Sequence, residues 1–125
     1  MKKIAVYAGS FDPITYGHLD IIKRACTISP QIIVAVVNNP NKKTLFSIDE
    51  RVDMIKAMLK NNKQVNVESF NGLLVDFLKI HDSDVIIRGL RAVSDFEHEF
   101  QLALTNRKLM AEIDTVFLMP SEEYT

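Results

Sequence analysis

Residues 4–26 read IAVYAGSFDPITYGHLDIIKRAC: a short apolar run, a turn-rich stretch and an amphipathic segment in succession. The run Ile4-Ala5-Val6-Tyr7-Ala8 is rich in strand formers and is stopped by Gly9, which marks a buried strand. From His18 onward Leu19, Ile22, Ala25 and Cys26 recur at helical spacing, with Asp20, Lys23 and Arg24 on the other side. Ser29-Pro30 ends that helix.

The rest of the chain repeats this order. Ile32-Ile33-Val34-Ala35-Val36-Val37 is continuously apolar, as in a strand covered on both faces, and Asn38-Asn39-Pro40-Asn41 breaks it. Ser47-Ile48-Asp49-Glu50 has the form of a capping box, followed by the stripe Val52, Ile55 and Leu59. Val65 to Phe70 alternates as a weaker strand, and Leu74, Phe77 and Leu78 line a short helix after Asn71-Gly72. Val85-Ile86-Ile87 is a strand ended by Arg88-Gly89. Ser94-Asp95-Phe96-Glu97 repeats the capping box and starts a long helix to about Met110, carried by Phe96, Phe100 and Ala103. Thr115-Val116-Phe117-Leu118-Met119 is the last strand, closed by Pro120. Five strands alternating with amphipathic helices predict an α/β, doubly wound, five-stranded parallel sheet with right-handed crossovers. Ligands of such folds bind outside the carboxyl ends of the strands, so function is expected on the edge formed by the segments that follow them.

With 125 residues the chain is expected to be one domain, 1–125, with a single core. Lys plus Arg total 15 and Asp plus Glu total 16, a net charge of −1, so no global field draws in nucleic acid or anionic lipid, and any phosphate site must be local. The only cysteine, Cys26, belongs to the apolar pattern and is read as core. The apolar residues after Met1-Lys2-Lys3 are too few for a signal peptide or a membrane span, which predicts a cytoplasmic protein.

Two common phosphate signatures, G-x-G-x-x-G after the first strand and G-x-x-x-x-G-K-S/T, are absent, which argues against a dehydrogenase or a P-loop enzyme. Instead Gly9-Ser10-Phe11-Asp12-Pro13-Ile14-Thr15-Tyr16-Gly17-His18 leads into a helix start. Gly17 there permits close backbone approach, and His18 can donate to a phosphoryl oxygen. A single His leaves two readings open, phosphate donor and helix cap. Arg88, directly after its strand, is placed to grip phosphate with two parallel bonds, while Lys42-Lys43 stands between phosphate contact and solvated surface. Glu97 and Glu99 are read as complements to the long helix's dipole, His98 as solvated, and His81 as a partner of terminal carbonyls. No spacing suits zinc or a Ser, His and Asp set.

With these motifs in view, Gly9-Ser10-Phe11-Asp12-Pro13 and Thr15-Tyr16-Gly17-His18 resemble the nucleotidyltransferase superfamily whose signature is His or Thr, any residue, Gly, His. Lys42-Lys43, Ile86-Ile87-Arg88-Gly89-Leu90-Arg91, Asp95-Phe96-Glu97-His98-Glu99 and Phe117-Leu118-Met119-Pro120 extend the resemblance, from Ile4 to the end, to the bacterial phosphopantetheine adenylyltransferases. The resemblance implies a Rossmann-like nucleotidyltransferase fold and reversible transfer of AMP from ATP to 4′-phosphopantetheine, giving dephospho-coenzyme A and pyrophosphate. It implies His18 as transition-state stabiliser, and Ser10, Lys42, Leu74 and Arg88 around the acceptor. Ser10, Phe11, His18, Gly89, Leu90, Arg91, Glu99, Tyr124 and Thr125 are implied at ATP, with Mg2+ carried on the triphosphate. Ser10 departs from the Thr of many relatives. A homohexamer with coenzyme A as feedback ligand, and no nucleic acid or membrane partner, are further implications.

Family members continue beyond Tyr124-Thr125 into an Ile-Ser-Ser-Ser/Thr segment opening another helix. On the resemblance, these 125 residues are therefore expected to be truncated at the C-terminal helix region and to bind ATP poorly by themselves. Two rivals stay open. One is a transferase of the same superfamily acting on nicotinate mononucleotide or making a CDP-alcohol, against which the Arg-Gly-Leu-Arg stretch argues. The other is a catalytically dead nucleotide-binding or assembly module.

Overall fold

The structure is a computed structural model that describes residues 4–90 and 93–124, with the backbone alone for 93–95. Five strands, β1 (Ile4–Gly9), β2 (Gln31–Val37), β3 (Val65–Phe70), β4 (Val85–Gly89) and β5 (Asp114–Leu118), form one sheet. Its order is β3-β2-β1-β4-β5, and every pairing is parallel. Between the strands run α1 (Tyr16–Ala25), α2 (Ile48–Leu59), α3 (Leu74–Ile80) and α4 (Val93–Leu109), and a 3-10 turn covers Glu122–Tyr124. The doubly wound parallel sheet expected from the alternating pattern is present.

Alternation along the strands divides the interior in two. Ala5 and Tyr7 of β1 point to one face with Ile32, Val34 and Val36 of β2, and there they meet Ile21, Ile22 and Ala25 of α1 and Ile55 of α2. Val6 and Ala8 point to the other, with Ile33 and Ala35, against Val75, Phe77 and Leu78 of α3. Both faces of the central strands are therefore apolar, which is why β2 appears in the sequence as an unbroken hydrophobic run. Cys26 is partly buried and packs against the first of these clusters.

Helix α2 begins with the expected capping box, Ser47 Oγ accepting from the Glu50 amide at 3.1 Å and Glu50 Oε1 from the Ser47 amide at 2.9 Å. The box expected at Ser94–Glu97 falls partly on side chains outside the described residues. The helix already includes Val93, which makes Ser94 its second residue. His81 differs from expectation as well. Its Nε2 lies 3.1 Å from Glu68 Oε1 on β3 and its ring sits against Phe77, so it joins helix to sheet through a carboxylate. Among the described residues no helix is long and apolar enough to cross a membrane.

The packing predicts sharply different responses two residues apart on α3. Leu78 is fully buried, and Leu78→Ala should destabilise the fold by about 2–5 kcal/mol through lost burial and the cavity left behind. Ile80 is 79% exposed, and Ile80→Ser should stay within about 0.5 kcal/mol of wild type. Urea unfolding at equilibrium, with unchanged m, measures both.

Candidate active site

The chain leaves β1 through a turn built around an aromatic plug. Phe11 is buried at 3% exposure and holds φ at +47°, a left-handed conformation uncommon outside glycine. Its ring meets Tyr7 edge-on at 5.1 Å and His18 edge-on at 5.0 Å. A Cβ on Gly9 would stand 3.3 Å from the Phe11 ring, so the glycine makes room for the plug.

Thr15 then caps α1. The His18 amide donates to Thr15 Oγ1 at 3.3 Å, and the Thr15 amide donates to His18 Nδ1 at 2.9 Å. A ring nitrogen that accepts an amide hydrogen cannot carry its own, so the neutral imidazole is the tautomer with its hydrogen on Nε2. Capping and donation, which stand as alternatives in the sequence, use different nitrogens of one ring. The first turn of α1 also contains no acidic residue, whereas that of α2 holds Asp49 and Glu50. The positive end of α1 thus faces the turn without a carboxylate of its own, a setting that favours a bound anion.

Opposite this turn stands the end of β4. Arg88 Nε donates to Glu99 Oε1 at 2.6 Å, Nη2 to Glu99 Oε2 at 2.9 Å, and Nη1 to the Ala8 carbonyl at 2.6 Å. This paired, fork-like contact holds the guanidinium pKa above its usual range, the carboxylate outweighing the opposing effect of burial. Glu99 is itself buried, at 7% exposure. As the seventh residue of α4 it lies beyond the first turn, and its carboxylate serves Arg88 in place of the helix dipole expected from the sequence.

A third wall comes from the segment after β5. Asp20 Oδ2 accepts from the Ser121 amide at 2.8 Å and from Arg24 Nε at 2.9 Å, and Arg24 Nη2 donates to Ser121 Oγ at 3.0 Å. Tied to α1 in this way, the segment brings Tyr124 into a stack with Tyr16, ring centroids 6.2 Å apart. The three walls enclose an open cleft of about 870 Å3 at the carboxyl ends of β1 and β4, where the strand order reverses.

Comparison with known proteins shows the family. Residues 6–125 match the Cytidylyltransferase-like family. Over 123 residues the chain is 58% identical to a phosphopantetheine adenylyltransferase of Clostridium botulinum, covering 98% of this chain and 75% of that protein. The chain belongs to the phosphopantetheine adenylyltransferase family. A second member of the family, from Carboxydothermus hydrogenoformans, is 54% identical over 98% of this chain and 76% of its own length. Among solved structures, a bifunctional NMN adenylyltransferase/ADP ribose pyrophosphatase from Francisella tularensis superposes with a TM-score of 0.74 at 20% identity. The match covers 100% of this chain and 40% of that one, and the likeness is one of fold.

In this phosphopantetheine adenylyltransferase family member, Ser10, Phe11, His18, Arg88, Gly89, Glu99 and Tyr124 all line the one cleft. Lys42 and Leu74 are not among its lining residues. Lys42 is exposed in the turn after β2, where its amide donates to the Asn39 carbonyl, and Leu74 packs at the start of α3. The Leu90 amide donates to the Leu118 carbonyl between the ends of β4 and β5, while Arg91 and Thr125 lie outside the described residues. A Cβ on Gly17 would make only ordinary contacts at 3.6 Å, so close packing within the chain does not require that glycine. Sequence reasoning set His98 aside as solvated, yet it is both exposed and at the cleft. Asp12, Tyr16 and Pro120 also line the cleft; they stand in the motifs that carry the resemblance but had no role of their own assigned from the sequence.

Asp20 predicts how the third wall depends on pH. The hydrogen bonds from Arg24 and then Ser121 lower its carboxyl pKa, so its contribution is complete above the ordinary carboxyl range and is lost as pH falls through the lowered value. Asp20→Asn should therefore have a lower Tm than wild type at neutral pH. That difference should close in acid, and thermal melts across pH 2–7 check it.

Proposed function

We propose that this cleft binds ATP, as its magnesium complex, together with 4′-phosphopantetheine, and moves AMP from one to the other. A phosphate oxygen of the acceptor attacks the α-phosphorus in line. The bond from that phosphorus to the bridging oxygen breaks, and pyrophosphate leaves as dephospho-coenzyme A forms. No covalent enzyme intermediate is needed, so the work of the protein is alignment and charge stabilisation. The observation that carries this reading is the His18 ring, fixed by Thr15 and Phe11 with its Nε2 hydrogen at the start of α1 and across the switch point from Arg88. Family membership supplies the acceptor.

In this reading His18 Nε2 donates to the phosphoryl group as charge builds on it. Ser10, Lys42, Arg88 and the backbone at Leu74 hold the acceptor. Ser10, Phe11, His18, Gly89, Leu90, Arg91, Glu99, Tyr124 and Thr125 face ATP. Arg88 arrives already oriented by Glu99 and the Ala8 carbonyl, and the acceptor phosphate meets the part of the guanidinium that remains exposed. A cytoplasmic homohexamer inhibited by coenzyme A is part of the same reading. The exposed Phe96, Phe100, Leu102, Leu104 and Leu109 of α4 give such an assembly an apolar surface.

The test is pyrophosphate release from ATP with 4′-phosphopantetheine or nicotinate mononucleotide. It is run on the 125-residue chain and on a version lengthened to the extent of its relatives. Release with phosphopantetheine and not with the mononucleotide is expected, and no release from either version with phosphopantetheine overturns the reading. In the active version His18→Ala should lower kcat about 100-fold with a similar loss in kcat/KM, the scale for removing a transition-state donor. Arg88→Ala should weaken acceptor binding about tenfold or more by calorimetry, with a drop in Tm because it strands the buried Glu99 carboxylate.

A further inference from the structure

Arg51, the fourth residue of α2, is 2% exposed, and among the described residues the acceptors of its guanidinium are main-chain carbonyls. Nε donates to Phe46 at 3.1 Å and to Ser47 at 3.3 Å, and Nη1 to Ser10 at 2.9 Å and Val37 at 3.1 Å. A buried cation whose partners among the described residues are carbonyls bears a desolvation cost that an aliphatic side chain in the same place would avoid, so its contribution has to lie in what it joins. It joins three stretches of chain: the turn after β1 at Ser10, the end of β2 at Val37, and the lead-in to α2 at Phe46 and Ser47.

Asp12 holds the same lead-in from the other side. Its Oδ2 accepts from the Leu45 amide at 2.7 Å and its Oδ1 from the Phe46 amide at 2.9 Å. Phe46 is thus fixed at its amide by Asp12 and at its carbonyl by Arg51. The loop of residues 38–46 starts and finishes on one guanidinium, at Val37 and Phe46, and Lys42 and Lys43 lie exposed in its middle. The third anchor of that guanidinium, Ser10, lines the cleft.

We propose that Arg51 is a positioning residue of the transfer site, its buried guanidinium setting the spacing between Ser10 and the Lys42 loop so that both reach one acceptor phosphate. The proposal rests on the reading above, in which Ser10 and Lys42 hold the acceptor. It assigns Arg51 a larger effect on the acceptor than on ATP. ATP contacts on β4, α4 and the 3-10 turn lie outside the three stretches that Arg51 joins, and only those at Ser10 and Phe11 share the turn it holds, so loosening the loop should leave most of the ATP contacts in place. Asp12→Asn, acting on the Phe46 amide, should reproduce the effect in weaker form.

The experiment compares wild type, Arg51→Lys and Asp12→Asn in the version that releases pyrophosphate. It measures kcat and KM for each substrate, Tm, and calorimetric binding of 4′-phosphopantetheine and of pantetheine lacking the phosphate. For Arg51→Lys the KM for 4′-phosphopantetheine should rise about tenfold or more, since a shift of the order of 1 Å in a positioned group can cost more than that. The KM for ATP should rise clearly less than that for the acceptor, and pantetheine should bind wild type and variant alike. Unchanged KM for the acceptor, or an equal loss for both substrates that follows the fall in Tm, overturns the proposal. If Arg51→Lys does not fold, Asp12→Asn decides: a rise in acceptor KM of about threefold or more that exceeds the rise for ATP is expected, and an unchanged acceptor KM overturns the proposal. A wild type that never turns over phosphopantetheine overturns the functional reading and this proposal together, whereas an active wild type matched by its variants overturns this proposal alone.

Discussion

β1 is paired in parallel on both sides, with β2 from Ile4 to Gly9 and with β4 from Ala5 to Tyr7, and the site depends on that double pairing. The crossover from β1 to β2 runs through α1 on one face of the sheet, and the crossover into β4 runs through α3 on the other. Chain therefore leaves the top of the sheet in opposite directions on either side of β1, and a crevice opens there without a residue being set aside to make it. Phe11 closes its floor. Holding φ at +47° costs of the order of 1–3 kcal/mol, and burying an aromatic ring against Tyr7 and His18 offsets a cost of that size.

The cleft's electrostatics follow from how few of its charges are available. With a net charge of −1 the chain has no long-range attraction for polyphosphate, so the field that matters is local. The helix end at Thr15 has no acidic residue in its first turn, and His18 spends Nδ1 on the cap so that its hydrogen is carried on Nε2. Arg88 is held by Glu99, which keeps a large cation in one place and reduces its net charge toward the cleft. A site arranged like this discriminates by geometry more than by attraction, as suits a reaction in which two anions must be aligned before one displaces part of the other.

The fold was legible in the sequence because both of its periodicities are clean. β2 is apolar throughout since helices cover it on both faces, and the Ser47–Glu50 box marked the start of α2 correctly. The crevice itself was legible as an edge, since parallel topology places the ends of β1 and β4 together. Pairings across the chain were not. Nothing in the spacing of Glu99 or His81 specifies a partner 11 or 13 residues away on another element, so both were assigned to their own helices, where local rules placed them. The plug conformation of Phe11, which the resemblance placed only at ATP, and the burial of Arg51 were hidden for a related reason. A left-handed phenylalanine and a buried arginine violate the propensities by which sequence is read, and such violations gather where function constrains the chain.

Arg51 and Arg88 show two ways of anchoring a guanidinium at the top of the sheet. Arg88 has a carboxylate and one carbonyl, so its charge is balanced, and its bidentate partner on α4 couples the end of β4 to that helix. Among the described residues Arg51 is met by carbonyls, and those come from chain that leaves β1, chain that leaves β2 and chain that enters α2. Carbonyls at strand ends are the acceptors a parallel sheet leaves without ladder partners, and one multidentate donor satisfies several of them together. A lysine has donors enough but lacks a planar fork to hold them in fixed directions. Arg51, rooted in α2, thus ties the loops above β1 and β2 together, with Asp12 holding the lead-in to α2 from the other side, and Ser10 carries that tie to the cleft edge.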